Sequence, residues 1–235
     1  MSLLHVFIPL VAFTAVFSFF FLVMRPRGLG LLTNPPIASI YFLLAAVALS
    51  VAYSDTLFRL FEHPTPMPFV WLLLFYATSV SAYSIVKRKY NRPDALIARH
   101  GGLSFLTLDH RFLFSKSFEI LFQQIVIATL ILSLASYGLT LPLIMLLFAV
   151  FFGAVHAFSV FIEGKYWAVF FGVSSVLSGL VLPPLILLIN YGLVYSFVFH
   201  GAFYVFAGCF FWVYIGGPKT LQPSKISDVS QIIAE

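Results

Sequence analysis

Between Phe118 and Gly216, nearly a hundred residues, the chain carries only three charged side chains, Glu119, Glu163 and Lys165. A helix crosses the hydrocarbon of a bilayer with roughly 20 apolar residues, so this stretch alone is long enough for several crossings. A single water-soluble core is not an alternative. Over the whole chain 61% of residues are hydrophobic and 9% are charged, with a mean hydropathy of +1.04, whereas a soluble domain carries roughly 25% charged residues. In lipid every backbone N–H and C=O must be bonded within the spanning structure. The apolar runs are continuous and rich in Leu, Phe and Val, without the period-two alternation of barrel strands. They predict an all-α fold, a polytopic transmembrane helical bundle, read as one transmembrane domain over residues 1–235.

The first apolar block, Leu3 to Met24, is stopped by Arg25-Pro26-Arg27. It has neither a basic region before it nor a small-residue cleavage site after it, so it reads as a span rather than a signal peptide. Further blocks run from about Ile37 to Ser54, Pro68 to Val86, Phe118 to Ser136 and Leu139 to Ile162. From Lys165 to Ile215 the chain is again apolar, interrupted by Pro183-Pro184 and Asn190-Tyr191-Gly192, which admits two or three spans. The total expected is seven or eight.

Basic residues are unevenly placed. Seven of the thirteen Lys and Arg residues (Lys87, Arg88, Lys89, Arg92, Arg99, Arg111 and Lys116) fall between two apolar blocks. Beside membrane helices this reads as a cytoplasmic loop, residues 87–117, obeying the positive-inside rule, and no nucleic-acid partner is expected. The segment with Asp55, Arg59 and Glu62 is then outside, as is the amino terminus. Within the basic loop, Leu103, Phe105, Leu106, Leu108, Phe112, Leu113 and Phe114 alternate with His110, Arg111 and Lys116, which suggests an interfacial amphipathic helix. The tail, residues 218–235, is polar. The single Cys209 rules out an intramolecular disulfide and sits in an apolar run, where it reads as a small buried hydrophobe.

An ionisable group inside a span costs a few kcal/mol even on the milder insertion scales, so each one is a functional hypothesis. Glu163 and Lys165 flank Gly164 in an inter-helix turn, where solvated charge is ordinary. Glu119, His156 and His200 remain. Glu119 opens a helix, with Gln123 one turn on along the same face and Gln124 beside it. An acid in that place also compensates the helix dipole. Phe152 precedes His156 by one turn, and His200 precedes Tyr204 by one turn. One carboxylate and two imidazoles on three apolar helices are costly unless they meet in a polar pocket. There a glutamate acts as general base on water while histidines donate to an oxyanion and a leaving group, which is hydrolase chemistry. With no His-Glu-x-x-His helix, no metal is expected.

In order and spacing, Glu119, then Phe152-x-x-x-His156, then His200-x-x-x-Tyr204 resemble the motifs of the CAAX protease and bacteriocin-processing family of glutamic intramembrane endopeptidases. That family's first motif reads Glu-Glu-x-x-x-Arg, and Ile120 and Gln124 stand here in place of its second glutamate and its arginine. Tyr204 stands where the family has asparagine. The resemblance covers roughly residues 118–204. It implies Glu119 as the base and His156 and His200 as groups that position water and stabilise the oxyanion. It further implies Tyr204 as a hydrogen-bond donor, with Gln123, Gln124 and Phe152 in support, and no cofactor. The implied substrate is a membrane-anchored protein or peptide in the lipid bilayer, whose carboxy-terminal anchor is removed as by a sorting enzyme of a bacterial cytoplasmic membrane. Two other readings stay open: a non-catalytic protease-like accessory or immunity protein, and a small proton-coupled transporter. The oligomeric state is not fixed by sequence.

Overall fold

The computed structural model describes residues 4–61, 65–99, 104–157 and 165–219. Among them the regular elements are helices, and the one extended pairing is an isolated antiparallel bridge between Tyr90 and Pro218. Helix α1 (Leu4–Phe19) continues through a π turn (Phe20–Met24) and a 3₁₀ turn (Arg25–Arg27), and ends at Gly28. Gly28 has φ +75°, the left-handed conformation that glycine adopts without a Cβ clash. Helix α2 (Pro35–Ala52) opens on two prolines, whose missing donors fall in the first turn, and on the Asn34 side chain, which accepts from the Ile37 N–H. A short α3 (Ser54–Leu57) precedes α4 (Met67–Lys89), whose last turn holds Lys87, Arg88 and Lys89. After α5 (Asp94–Arg99) and a 3₁₀ turn (Ser104–Thr107) comes α6 (His110–Ser136), then α7 (Leu141–Ala157), α8 (Lys165–Leu188) and α9 (Gly192–Phe211), which runs on through a π turn (Trp212–Gly216).

Six of these helical segments are long and apolar enough to cross a membrane: Val6–Arg27, Pro35–Ala52, Met67–Lys89, His110–Ser136, Trp167–Leu188 and Gly192–Gly216. Helix α7 is apolar but shorter. Large apolar side chains cover the outside, with Leu22, Val51, Leu73 and Phe206 each at least 70% exposed. Such a surface would associate in water and is the expected surface of a bundle in lipid. The chain is an integral membrane protein of helical type.

Helix α6 lies at the centre. Its apolar window is 78% buried, against 33% or less for every other spanning helix. It packs against α1, α2, α3, α7, α8 and α9. One apolar cluster joins α1 and α2 to the later part of α6 and to α7 and α8, around Phe42, Phe122, Ile131 and Phe148. The other joins α4, the Ser104–Thr107 turn, the start of α6, α8 and α9, around Tyr83, Leu106, Phe112, Trp167 and Trp212. Helices α4 and α9 approach closely because residue 201 is glycine. A Cβ there would stand 2.6 Å from the Phe75 ring.

The ends of the helices are clipped together. Asn91 N–H donates to Gly217 O at 2.9 Å and Lys219 N–H to Lys89 O at 3.0 Å, which ties the end of α9 to the end of α4. Ser115 Oγ donates to Leu31 O at 2.9 Å, which brings the α1–α2 turn to the start of α6. Arg25, Arg27, Lys87 to Lys89, Arg92, Arg111 and Lys219 therefore all lie toward one end. At the other end Tyr191 N–H donates to Leu60 O at 3.0 Å.

Of the two or three helices admitted from Lys165 to Ile215, the chain forms two, because Pro183 and Pro184 lie inside α8, and three further expectations change. The prolines remove two donors, but lipid offers the backbone no partner outside a helix, so the helix continues. Helix α6 starts at His110, where the Asp109 carboxylate accepts from the Arg111 N–H at 2.7 Å, eight residues before Phe118. The basic connection is correspondingly shorter than residues 87–117. No interfacial helix forms over the described part of its segment, since Phe105, Leu106, Leu108, Phe112 and Leu113 are buried in the bundle and the Trp212 indole N–H donates to Leu106 O at 2.6 Å. Leu103, Glu62, Glu163, Gly164 and the tail from residue 220 lie outside the described residues.

Gly201→Leu is expected to force α4 and α9 apart and to lower stability by about 1–3 kcal/mol, the usual cost of overpacking. Denaturant unfolding in micelles measures it. Adding Phe75→Ala should restore most of the loss, and a double variant no better than the single one would contradict this contact.

Candidate functional site

Lys116, Glu119 and Gln123 are spaced i, i+3 and i+7 along α6 and so stack on one face. Lys116 Nζ donates to Glu119 Oε1 at 2.5 Å, and Gln123 Nε2 donates to the same oxygen at 2.9 Å. All three residues are buried, with relative exposures of 9%, 4% and 6%. Of the charged side chains among the described residues, only Lys116 and Glu119 are buried. Glu119 lies in the third turn of α6, so the dipole reading does not apply, because that effect fades beyond the first turn.

From the other side α9 presents His200 and Tyr204, one turn apart with rings stacked at 5.5 Å and 16°. The Lys116 ammonium sits over the Tyr204 ring, 4.3 Å from its centroid, a cation–π contact that compensates part of its lost hydration. Gln124, fully buried, brings its Nε2 to 2.7 Å from His200 Nδ1. The contacts close a circuit: Gln123 to Glu119, to Lys116, to the Tyr204 ring, to the His200 ring, to Gln124, which adjoins Gln123.

Helix α7 contributes His156. Its Nδ1 lies 2.8 Å from Phe152 O, and its ring meets the Phe152 ring edge-on at 4.5 Å. His156 is near enough to Lys116 and His200 for their charges to interact. The two histidines have complementary tautomers. A carbonyl only accepts, so His156 carries its proton on Nδ1 and its lone pair on Nε2. With the Gln124 amide nitrogen donating, His200 carries its lone pair on Nδ1 and its proton on Nε2. The two rings are thus protonated on opposite nitrogens.

Of the residues expected from sequence to form the site, Glu119, Gln123, Gln124, His200 and Tyr204 are joined by contacts within α6 and between α6 and α9, while His156 and Phe152 pair with each other on α7. Gln123 supports Glu119 directly, while Gln124 holds His200 instead. Lys116 was grouped with the topological charges, and the structure moves it into the site. The signal for it was its spacing of three from Glu119 and seven from Gln123. The Oε1 atoms of Gln123 and Gln124 are buried with no hydrogen-bond partner among the described residues. Among the described residues no three His, Cys, Asp or Glu side chains group as a metal ion requires. An apolar groove between α1, α6 and α7 is lined by Leu10, Phe13, Ile127, Leu130, Phe148 and Phe152.

Gln124→Leu is expected to leave His200 Nδ1 without its donor, at a cost of about 1–3 kcal/mol. Nitrogen NMR of ¹⁵N-histidine protein should show the His200 signals moving while those of His156 hold, and an unmoved His200 would break the assignment. Comparison with known proteins identifies no relative: no family model matches the chain, and neither curated proteins nor solved structures give a significant match.

Proposed function

We propose that this protein is an intramembrane hydrolase of glutamic type, which cleaves a peptide bond in a membrane-anchored substrate. The observation that carries the reading is one polar layer inside an apolar bundle, in which a buried carboxylate on α6 shares its surroundings with imidazoles from α7 and α9. Glu119 takes a proton from water as the oxygen attacks the scissile carbonyl, and passes it to the leaving amine. The His200 Nε2–H is a donor for the oxyanion, and His156 flanks the same site from α7. Tyr204 packs against His200 and holds its ring. The resemblance of the three motifs to the CAAX protease and bacteriocin-processing family supports this reading, and with it removal of a carboxy-terminal anchor. The mutual pairing of Lys116 and Glu119 favours a second reading, a non-catalytic scaffold in which the circuit only holds helices together.

The test needs no known substrate. Reconstituted with membrane proteins of its source cell in H₂¹⁸O, the wild-type protein should generate new carboxy termini carrying ¹⁸O, read by mass spectrometry. Glu119→Gln should abolish them, and His156→Ala and His200→Ala should reduce them by about 10²–10⁴-fold, the usual contribution of acid–base groups. Equal labelling by Glu119→Gln leaves the scaffold reading.

The proposed topology is seven crossings, by α1, α2, α4, α6, α7, α8 and α9, in a bacterial cytoplasmic membrane with the basic ends inside. In a variant lacking Cys209, an impermeant maleimide should label Asp55→Cys in intact spheroplasts and Arg92→Cys only after permeabilisation. The reverse pattern would invert the topology.

A further inference from the structure

A buried ammonium is costly unless its charge is met, and Lys116 is met twice. Its Nζ bonds Glu119 Oε1 at 2.5 Å on its own helix and lies 4.3 Å from the centre of the Tyr204 ring on α9. The bonds on Glu119 are uneven. Both donors, Lys116 Nζ and Gln123 Nε2, reach Oε1, and no donor among the described residues reaches Oε2. One oxygen of the carboxylate is therefore anchored and the other is left to face an incoming proton.

We propose that Lys116 is a positioning residue of the site: it holds Glu119 as an anion aimed through Oε2, and it sets the Tyr204 ring against His200. The role rests on the hydrolytic reading above, since it serves a base that acts on water. Lys116 acts through Glu119 and Tyr204 and touches no reacting atom. Gln123 supplies the second bond to Oε1 but no charge, so a neutral residue at 116 leaves the carboxylate oriented from one side only and without a counter-ion. In that apolar setting the carboxyl group is held as the neutral acid.

The test uses the full-length protein with Lys116→Met, Lys116→Arg and Glu119→Gln. Infrared difference spectra, with the carboxyl band assigned by its loss in Glu119→Gln, should show Glu119 ionised in the wild type and in Lys116→Arg and protonated in Lys116→Met. The rate of ¹⁸O-terminus formation at saturating substrate should fall by about 10–100-fold in Lys116→Met, the usual effect of losing a group that orients a site residue. The substrate concentration giving half that rate should hold, and Lys116→Arg should recover most of the rate. If Lys116→Met does not fold, Lys116→Gln, which keeps a donor without the charge, is judged by the same criteria. A protonated Glu119 in the wild type overturns the proposal. So does a neutral variant with the wild-type rate where Glu119→Gln has none, and that outcome leaves the hydrolytic reading standing. Normal cleavage by Glu119→Gln overturns the hydrolytic reading and this role together.

Discussion

Helix α6 is in contact with six other helices of the bundle, and its burial governs what the rest can be. In hydrocarbon there is no hydrophobic force between helices, because lipid tails are as apolar as leucine, so association rests on close packing and on polar contacts. α6 supplies both. Its later turns, around Ile127 and Ile131, are apolar and enclosed, while its earlier turns carry Lys116, Glu119, Gln123 and Gln124 into the region packed by α4, α8 and α9. A charged pair on an outer helix would face acyl chains. On the central helix it faces only protein.

The same enclosure sets the strength of the interactions at the site. Attraction between Lys116 and Glu119 is far larger away from water than at a surface, but so is the cost of removing their hydration. The balance is favourable only when further contacts use the remaining charge. Gln123 and the Tyr204 ring provide them, one from α6 and one from α9. The pair is thus tied to the histidine-bearing helix through the Tyr204 ring, which also stacks with His200.

How much of this was legible in the sequence depends on whether hydropathy alone decided the matter. Helices α1, α2 and α4 face lipid along much of their length and were located to within a few residues, since a lipid-facing helix must be apolar. The start of α6 was missed because His110, Arg111, Ser115, Lys116 and Ser117 break the apolar run, although an inward face needs no such run. Asp109 was the usable signal, a capping acid just before the helix. Pro183-Pro184 read as a break because the rule for prolines comes from proteins in water. Glu119, His156 and His200 stood out as candidates because ionisable residues are rare in so apolar a chain. Lys116 was not, because a count of basic residues does not distinguish a solvated charge from an enclosed one. The bond from Gln124 to His200 joins residues 76 apart, and no local spacing announces it.

The closed circuit has a mechanical consequence. Two helices packed by apolar contacts in lipid can slide or turn past one another at small cost, because one leucine replaces another. Here α9 meets α6 at two fixed points, Tyr204 under the Lys116 ammonium and His200 against Gln124, one turn apart on α9 and eight residues apart on α6. A shift of α9 by one residue, or a modest rotation about its axis, breaks both together, leaving the Lys116 ammonium without its aromatic partner and His200 Nδ1 without its donor. The circuit therefore works as a register lock, defining one alignment of α9 on α6 among many that apolar packing alone would tolerate.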